Sequence, residues 1–418
     1  MFKRIKDTYQ EFPIDFRVLV LANFVDRLGG TMLFPFFSLY VTQKFGVGMT
    51  EAGILIALFS VSGFVGSLFG GALADRFGRK LLIIFGLVAS ATSSLFMGLV
   101  NELIYFYLLA IVAGLLSQIA FPASQAMVAD LLPEEQRAEG FGIMRVVTNL
   151  AWIIGPTVGG LVATQSYLTL FILDAVSSLI TALIVIKYIP ETKPEVAHEQ
   201  EERSFLSTLT GYRIVFKDGL YVLFILVSML MLIPYQQIYS TLSVYLHDVH
   251  GVSAQGYGFL MTLNATFVVI LQFWVTRRIK PFAPMLMMAA GTLLYLIGLT
   301  LFGFVTAFIF FMIAMVIITF GEMTTLPVSQ TLAANFSPLD MRGRYLAIFS
   351  LSWTVASAVG PWGAGIIMDN YDPNWVWYLS GIISAVAVVG FLFLNRATKE
   401  RFAAVDDPIA ADQEIQQA

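Results

Sequence analysis

Asp26 and Arg27 stand side by side in "LANFVDRLGGTMLFPFFSLYV", a run whose other residues are mostly apolar or small. A charge at the centre of a membrane helix costs about 2.5–3.5 kcal/mol on insertion scales, so such residues ordinarily mark a substrate or ion path. Glu322, in "FGEMTTLPVSQ", is a third charge deep inside an apolar stretch. A carboxylate in that position could take up a proton and later release it. Moving an arginine towards or away from it would change its proton affinity. Adjacent residues diverge by about 100° around a helix, so one of the first pair can face an aqueous path while the other meets a neighbouring helix. Asn23, Thr31 and Phe34 share the face of Arg27; Gly30, Leu33 and Phe37 share that of Asp26. In "MLIPYQQIYSTLSVYL", Pro234 is expected to break or kink the helix, and the polar tips of Tyr235, Gln236, Gln237 and Tyr239 gather beside it. Lipid penalises such groups, so they are expected to face protein or water, together with Gln118 and Asn264.

These residues must be carried by membrane-spanning helices. The 418-residue chain is 58% hydrophobic and only 12% charged, about half the usual charged share. Twelve apolar runs each reach the ~20 residues needed to cross a bilayer: about 16–42, 52–74, 81–99, 103–129, 140–164, 168–188, 219–246, 254–275, 283–304, 306–334, 345–368 and 375–395. The leading "MFKRIKDTYQEF" has no small-residue cleavage site, so the first run reads as a retained span. With the N-terminus placed inside, all of the 24 Lys and Arg except Lys44, Arg27 and Arg145 fall on the cytoplasmic side. The positive-inside rule then predicts an even number of spans with both termini cytoplasmic.

A duplication runs through the chain at an offset of 205 residues. "SLYVTQKFGVGMTEAGILIAL" (38–58) lies over "SVYLHDVHGVSAQGYGFLMTL" (243–263), and "FPASQAMVADLLPEEQR" (121–137) over "LPVSQTLAANFSPLDMR" (326–342). "AWIIGPTVGG" (151–160) lies over "ASAVGPWGAG" (356–365). The expected domains are a six-helix bundle over 1–188, a charged cytoplasmic linker over 189–218 with an interfacial helix from Ser204, a second six-helix bundle over 219–396, and a disordered cytoplasmic tail over 397–418.

The loop "GGALADRFGRK", with Gly71, Asp75, Arg76, Gly78, Arg79 and Lys80, resembles the signature between spans 2 and 3 of the major facilitator superfamily. The resemblance implies an all-α polytopic fold of twelve transmembrane helices in two halves, with spans 1, 4, 7 and 10 lining a central cavity. It also implies that the loop network clasps the cytoplasmic end of span 11, with Asp130 joining it. Arg145, near the cytoplasmic end of span 5, is expected to snorkel or to close the inner seam. "GFGIMRVVTNLAWIIGPTVGG" resembles the antiporter signature of the superfamily's drug/proton exchangers through Gly142, Gly155, Pro156, Gly159 and Gly160, although Ala151 stands where that pattern has glycine. Small residues at this spacing let helices approach closely. The arginine usual in span 4 of drug exchangers is missing, its position being Ala110. Asp174 falls in span 6, a peripheral helix by resemblance, and is a secondary candidate.

No nucleophile elbow, phosphate-binding loop or paired metal ligands are present, and "HDVH" (247–250) reads as solvated loop. With no cysteine and three histidines there is little from which to assemble an enzyme, and no basic footprint for nucleic acid. The expectation is a monomeric, cofactor-free secondary transporter of a prokaryotic inner membrane. It would couple protons at Asp26, Arg27 and Glu322 to export of a small hydrophobic or amphipathic substrate. Export or flipping of a lipid-like or sugar-containing metabolite is the alternative within transport; a non-transporting receptor or scaffold is the alternative outside it.

Overall fold

Proline and glycine set several helix ends, although Pro234 lies inside the helix Gly219–Ser240 and does not break it. Pro13 precedes α1 (Ile14–Leu33), and Pro35, which has no N–H to donate, turns Phe34–Phe36 into a 3-10 segment before α2 (Phe37–Phe45) resumes. Gly46, at φ +62°, ends α2 in the left-handed conformation that suits glycine. Then follow α3 (Met49–Phe77), α4 (Arg79–Leu99), α5 (Leu103–Leu131), α6 (Glu134–Ala163) and α7 (Tyr167–Tyr188). The second series is α8 (Gly219–Ser240), α9 (Leu242–His250), α10 (Ala254–Ile279), α11 (Pro284–Phe302), α12 (Phe308–Phe336), α13 (Arg342–Asn370) and α14 (Trp375–Ala397). This computed structural model describes residues 11–193, 213–338, 341–399 and 401. The expected interfacial helix from Ser204, the tail beyond 401 and the Asp75 side chain lie outside the described residues.

Twelve stretches among the described residues are long and apolar enough to cross a membrane, α1 with α2 forming the first. Large apolar side chains point outward along them: Phe273 is 72% exposed, Val389 66% and Leu183 65%. In water that surface would be costly; in lipid it is the solvated face. The chain is a multi-pass membrane protein. Several helices outrun their apolar runs. α6 begins at Glu134, ahead of the expected residue 140, because Pro133 sets its start and two acidic residues suit its first turn.

The duplication reappears as geometry. Offset by 205, α2 superposes in sequence on α9, the start of α3 on that of α10, and α5 on α12 end to end. Gly46 and Gly251 end their helices with φ +62° and +65°. The break at Phe34–Phe36 has its counterpart at Thr241, between α8 and α9.

The described residues form two compact units that do not follow the sequence halves. The first contains the N-terminal series to α7 together with Gln236–Val269 and Ser357–Trp375; the second contains the remainder of α8, α10 and α13 with α11, α12 and α14. Backbone contact at glycine explains the assignment. A Cβ on Gly53 would meet Pro361 O and Trp362 Cα at 2.6 Å, and one on Gly365 would meet Thr50 N at 2.5 Å, so α3 and α13 touch backbone to backbone. The repeat produces a matching crossing of α6 and α10: Gly160 abuts Ala254 and Gln255 at 3.0 Å, and Gly258 abuts the Pro156 carbonyl. In the second unit, the Tyr221 hydroxyl donates to the Tyr345 carbonyl, and the Tyr221 ring packs with Phe224 and Phe336.

Candidate functional site

The first unit encloses a cavity of about 730 Å³. Its charged lining consists of Asp26 and Arg27 on α1, Arg145 on α6 and Asp174 on α7. Asp26 is half-buried and accepts a 2.8 Å hydrogen bond from the Ser178 hydroxyl of α7. Arg27, one residue on, is exposed to the cavity. The two side chains thus divide their tasks by helix angle: the acid is tied to a neighbouring helix and the base is left in open space. Arg145 is likewise exposed and lines the cavity.

Small residues on α1 bring its neighbours this close. A Cβ on Gly29 would strike Ser177 and come within 3.0 Å of Asp174 Cα, so α7 can approach only because Gly29 has none. Thr181 donates to the Ala22 carbonyl at 3.1 Å, fixing the same crossing further along. On the opposite flank, Thr31 donates to the Ala151 carbonyl at 3.0 Å, and Gly155 and Gly159 of α6 abut Thr31 and Met32. The antiporter-like glycines are therefore a packing surface for α1 and α10. Gly142 is different, with nothing within 4 Å of where its Cβ would stand.

The remaining lining is mixed. Phe34, Phe37, Phe59 and Phe121 provide apolar walls, while α4 contributes Ser90, Ser93 and Ser94 and α5 contributes Ser117, Gln118 and Gln125. Asn23, Gln236 and Tyr239 also line it, the Tyr239 ring standing edge-on to Trp152 at 5.3 Å. Other polar candidates of the same sequence patch sit elsewhere. Gln237 is buried and accepts from Thr241 at 2.6 Å, and Asn264 is buried in α10. Tyr235 belongs to the second unit, stacked on Tyr295 with a centroid separation of 5.4 Å. Glu322, half-buried on α12, also belongs to the second unit, and none of these four residues is part of this lining. Successive helical positions point in different directions, so a cluster in sequence becomes scattered in space.

By sequence Asp174 is only a secondary candidate and Ser178 carries no signal, the resemblance implying that span 6 is peripheral. α7 nevertheless contributes Phe171, Asp174, Ser178, Thr181 and Val185 to the cavity. The signal available was the one that marked Asp26: an acid within an apolar run.

The loop motif forms a second polar centre at the junction of α3 and α4. Gly78 turns at φ +97°, and a Cβ there would stand 2.5 Å from Glu191 Oε2. Through that gap the Glu191 carboxylate receives the backbone N–H groups of Arg79 and Lys80 at 2.9 and 3.1 Å, capping α4 where the helix dipole favours an anion. Arg79 pairs with Asp130 at 2.8 Å, Thr192 donates to the same carboxylate, and Lys193 Nζ donates to the Arg76 carbonyl. Lys80 Nζ reaches the Ile186 carbonyl at 2.8 Å, whereas Gly71 has open space beside it. These contacts join the α3–α4 turn to α5, α7 and the segment after α7.

Twelve apolar helices, a chain-wide repeat and a charged cavity among the spans are features of a membrane transporter. The chain matches the Major Facilitator Superfamily profile over residues 19–340 and 282–415, and it belongs to that superfamily. It is a transporter and not an enzyme. Its relatives include the Na(+), Li(+), K(+)/H(+) antiporter of Planococcus maritimus, 27% identical over 408 residues, covering 90% of this chain and 94% of that protein. The quinolone resistance protein NorA of Staphylococcus aureus is 24% identical over 374 residues, covering 89% and 94%. Among solved structures, a variant of the nucleoside transporter NupG aligns with a TM-score of 0.81 at 14% identity, covering 91% of this chain and 99% of that one. A POT family transporter in complex with 5-aminolevulinic acid aligns at 0.77 and 15%, covering 93% and 99%.

Proposed function

We propose that the protein exports small hydrophobic or amphipathic compounds in exchange for protons, from a prokaryotic inner membrane with both termini in the cytoplasm. The observation that carries this reading is the cavity in which Asp26 and Arg27 stand among phenylalanines, serines and glutamines. Aromatic walls accept apolar bodies of varied shape, while a few polar groups orient them. Asp26 takes a proton from the outside, cargo leaves, and the proton is discharged inside. Glu322 is retained as a further proton carrier in the second unit. One elementary charge moved through 100 mV is worth about 2.3 kcal/mol, enough to drive such a cycle uphill.

Alternating access needs seals that part. The backbone contacts at Gly53, Gly365, Gly160 and Gly258 serve as the outer seal, on the face that the Lys and Arg distribution assigns to the outside. The antiporter named in Planococcus and the quinolone resistance named for NorA support the exchange and the cargo class respectively.

The test is ethidium efflux from proteoliposomes under an imposed pH gradient. Wild type is expected to respond to the gradient, with Asp26→Asn losing that response and Glu322→Gln weakening it. Full pH-driven efflux by both single variants and the double would remove the proposed carriers. Exchange of an alkali cation for a proton is a second reading, supported by the Planococcus relative. A sodium gradient in place of the dye separates the two.

A further inference from the structure

The crossing of α1 and α7 sets a second carboxylate beside Asp26. Asp26 and Gly30 are one turn apart on α1, and Asp174 and Ser178 are one turn apart on α7. The two stripes interlock. Ser178 donates to Asp26 Oδ1 at 2.8 Å, while a Cβ on Gly30 would stand 3.8 Å from Asp174 Oδ1. The carboxylates are thereby offset by one turn, ~5.4 Å of rise. Gly30, having no side chain, leaves the room that the Asp174 carboxylate occupies.

We propose that Asp174 shares the coupling proton with Asp26, the pair holding one proton between them. This rests on the proton-coupled reading above and deepens it. The other titratable or charged groups lining the same cavity are Arg27 on α1 itself, Arg145 on α6 and Tyr239 on α8, with none on α3, α4 or α5. Loading converts two carboxylates into one carboxylate and one carboxylic acid. With Arg27 and Arg145, the formal charge of the lining then passes from zero to +1. A cationic cargo meets a neutral lining before loading and a positive one afterwards, so proton and cargo displace each other by charge. Release on the opposite side restores both carboxylates.

The experiment uses full-length protein in detergent and weak buffer, with ethidium as probe, and measures protons released per dye bound. Asp26→Asn and Asp174→Asn are each expected to lower that ratio about twofold or more while still binding dye, as members of one titrating pair. Asp174→Glu is expected to keep it. A full ratio in Asp174→Asn with a lowered one in Asp26→Asn overturns the sharing and leaves the proton-coupled reading standing. Full ratios in both, or no release by wild type, overturn that reading as well. Should Asp174→Asn not fold, the carboxyl C=O band lost from the infrared spectrum on dye binding is compared in Asp26→Glu and Asp174→Glu. The band is expected to move in both; movement in Asp26→Glu alone overturns the sharing.

Discussion

Asp369 receives the backbone N–H of Met49 at 2.9 Å and caps α3 from the far end of α13, a span 320 residues away in sequence. Its other carboxylate oxygen takes the N–H of Thr50 at 2.8 Å. The α3 N-cap position itself is Gly48, which has no side chain to offer, so the cap is supplied by another helix. The repeat does not copy this: position 164, 205 residues before Asp369, is a threonine. The crossing of α3 and α13 is thus the more strongly tied of the two.

Removing that cap is expected to loosen the α3–α13 crossing. Asp369→Ala should lower stability by ~1 kcal/mol, the usual size of an N-cap loss. It should also reduce crosslinking between Gln43→Cys and His247→Cys, whose native side chains meet at 3.0 Å. The chain has no native cysteine to interfere. Unchanged thermal unfolding and unchanged crosslinking would show that the two hydrogen bonds contribute nothing to closure.

Gly258 and Gly142 should respond oppositely to alanine. At Gly258 the new methyl would press on the Pro156 carbonyl, which is backbone and cannot swing aside. Overpacking of this kind costs about 1–3 kcal/mol, and pH-driven efflux should fall with it. Gly142→Ala enters open space and should leave both stability and efflux near wild type. Equal losses in the two variants would mean that backbone approach at the α6–α10 crossing is unimportant.

The Arg79 centre should behave as one unit. Arg79→Gln removes the 2.8 Å ion pair with Asp130, a contact expected to be worth about 1 kcal/mol. Glu191→Ala uncaps α4, for ~1 kcal/mol. Glu191 holds the backbone of the residue whose side chain Asp130 holds, and Thr192 bridges the two carboxylates' surroundings. The double variant should therefore lose less than the sum. Strict additivity in denaturant or thermal unfolding would show that the two contacts are independent.

Asp218 makes stability depend on acidity. Burial pushes its carboxyl up, but the Arg401 hydrogen bond, the Tyr221 N–H, the Arg401 charge and the Tyr345 hydroxyl outweigh that and hold it below the usual range. Arg401 reaches it with two nitrogens, at 3.0 and 2.8 Å. An unfolded aspartate titrates near about 3.9, so the contribution is fully present above that value. It is lost as pH falls through the lower folded value. Wild type should therefore destabilise more steeply than Asp218→Asn as pH drops below about 4. Parallel unfolding curves for the two proteins over that range would rule out the linkage.

How much could be read from the chain alone differs by residue. Asp26 and Arg27 were legible because a charge within an apolar run is conspicuous whatever surrounds it, and both line the cavity. Asp174 carried the same signal, but its weight depended on whether α7 reaches the cavity. Gly29 decides that by meeting Ser177 in space, and no local pattern announces the meeting. Gln236 and Gln237 are neighbours of the same type; one lines the cavity and the other turns away to Thr241. Composition cannot separate them, because the choice lies in one hundred-degree step of the helix and in what stands opposite.

Hydropathy and the fixed repeat were sufficient to establish the solvent, the spans and the two-fold plan, since each depends only on transfer energies and on likeness along the chain. Which helices touch, which acids face each other and which carboxylate caps a distant helix were decided by tertiary packing. Those contacts depend on where backbones can approach within a few ångströms, a property of pairs of segments that neither segment carries alone.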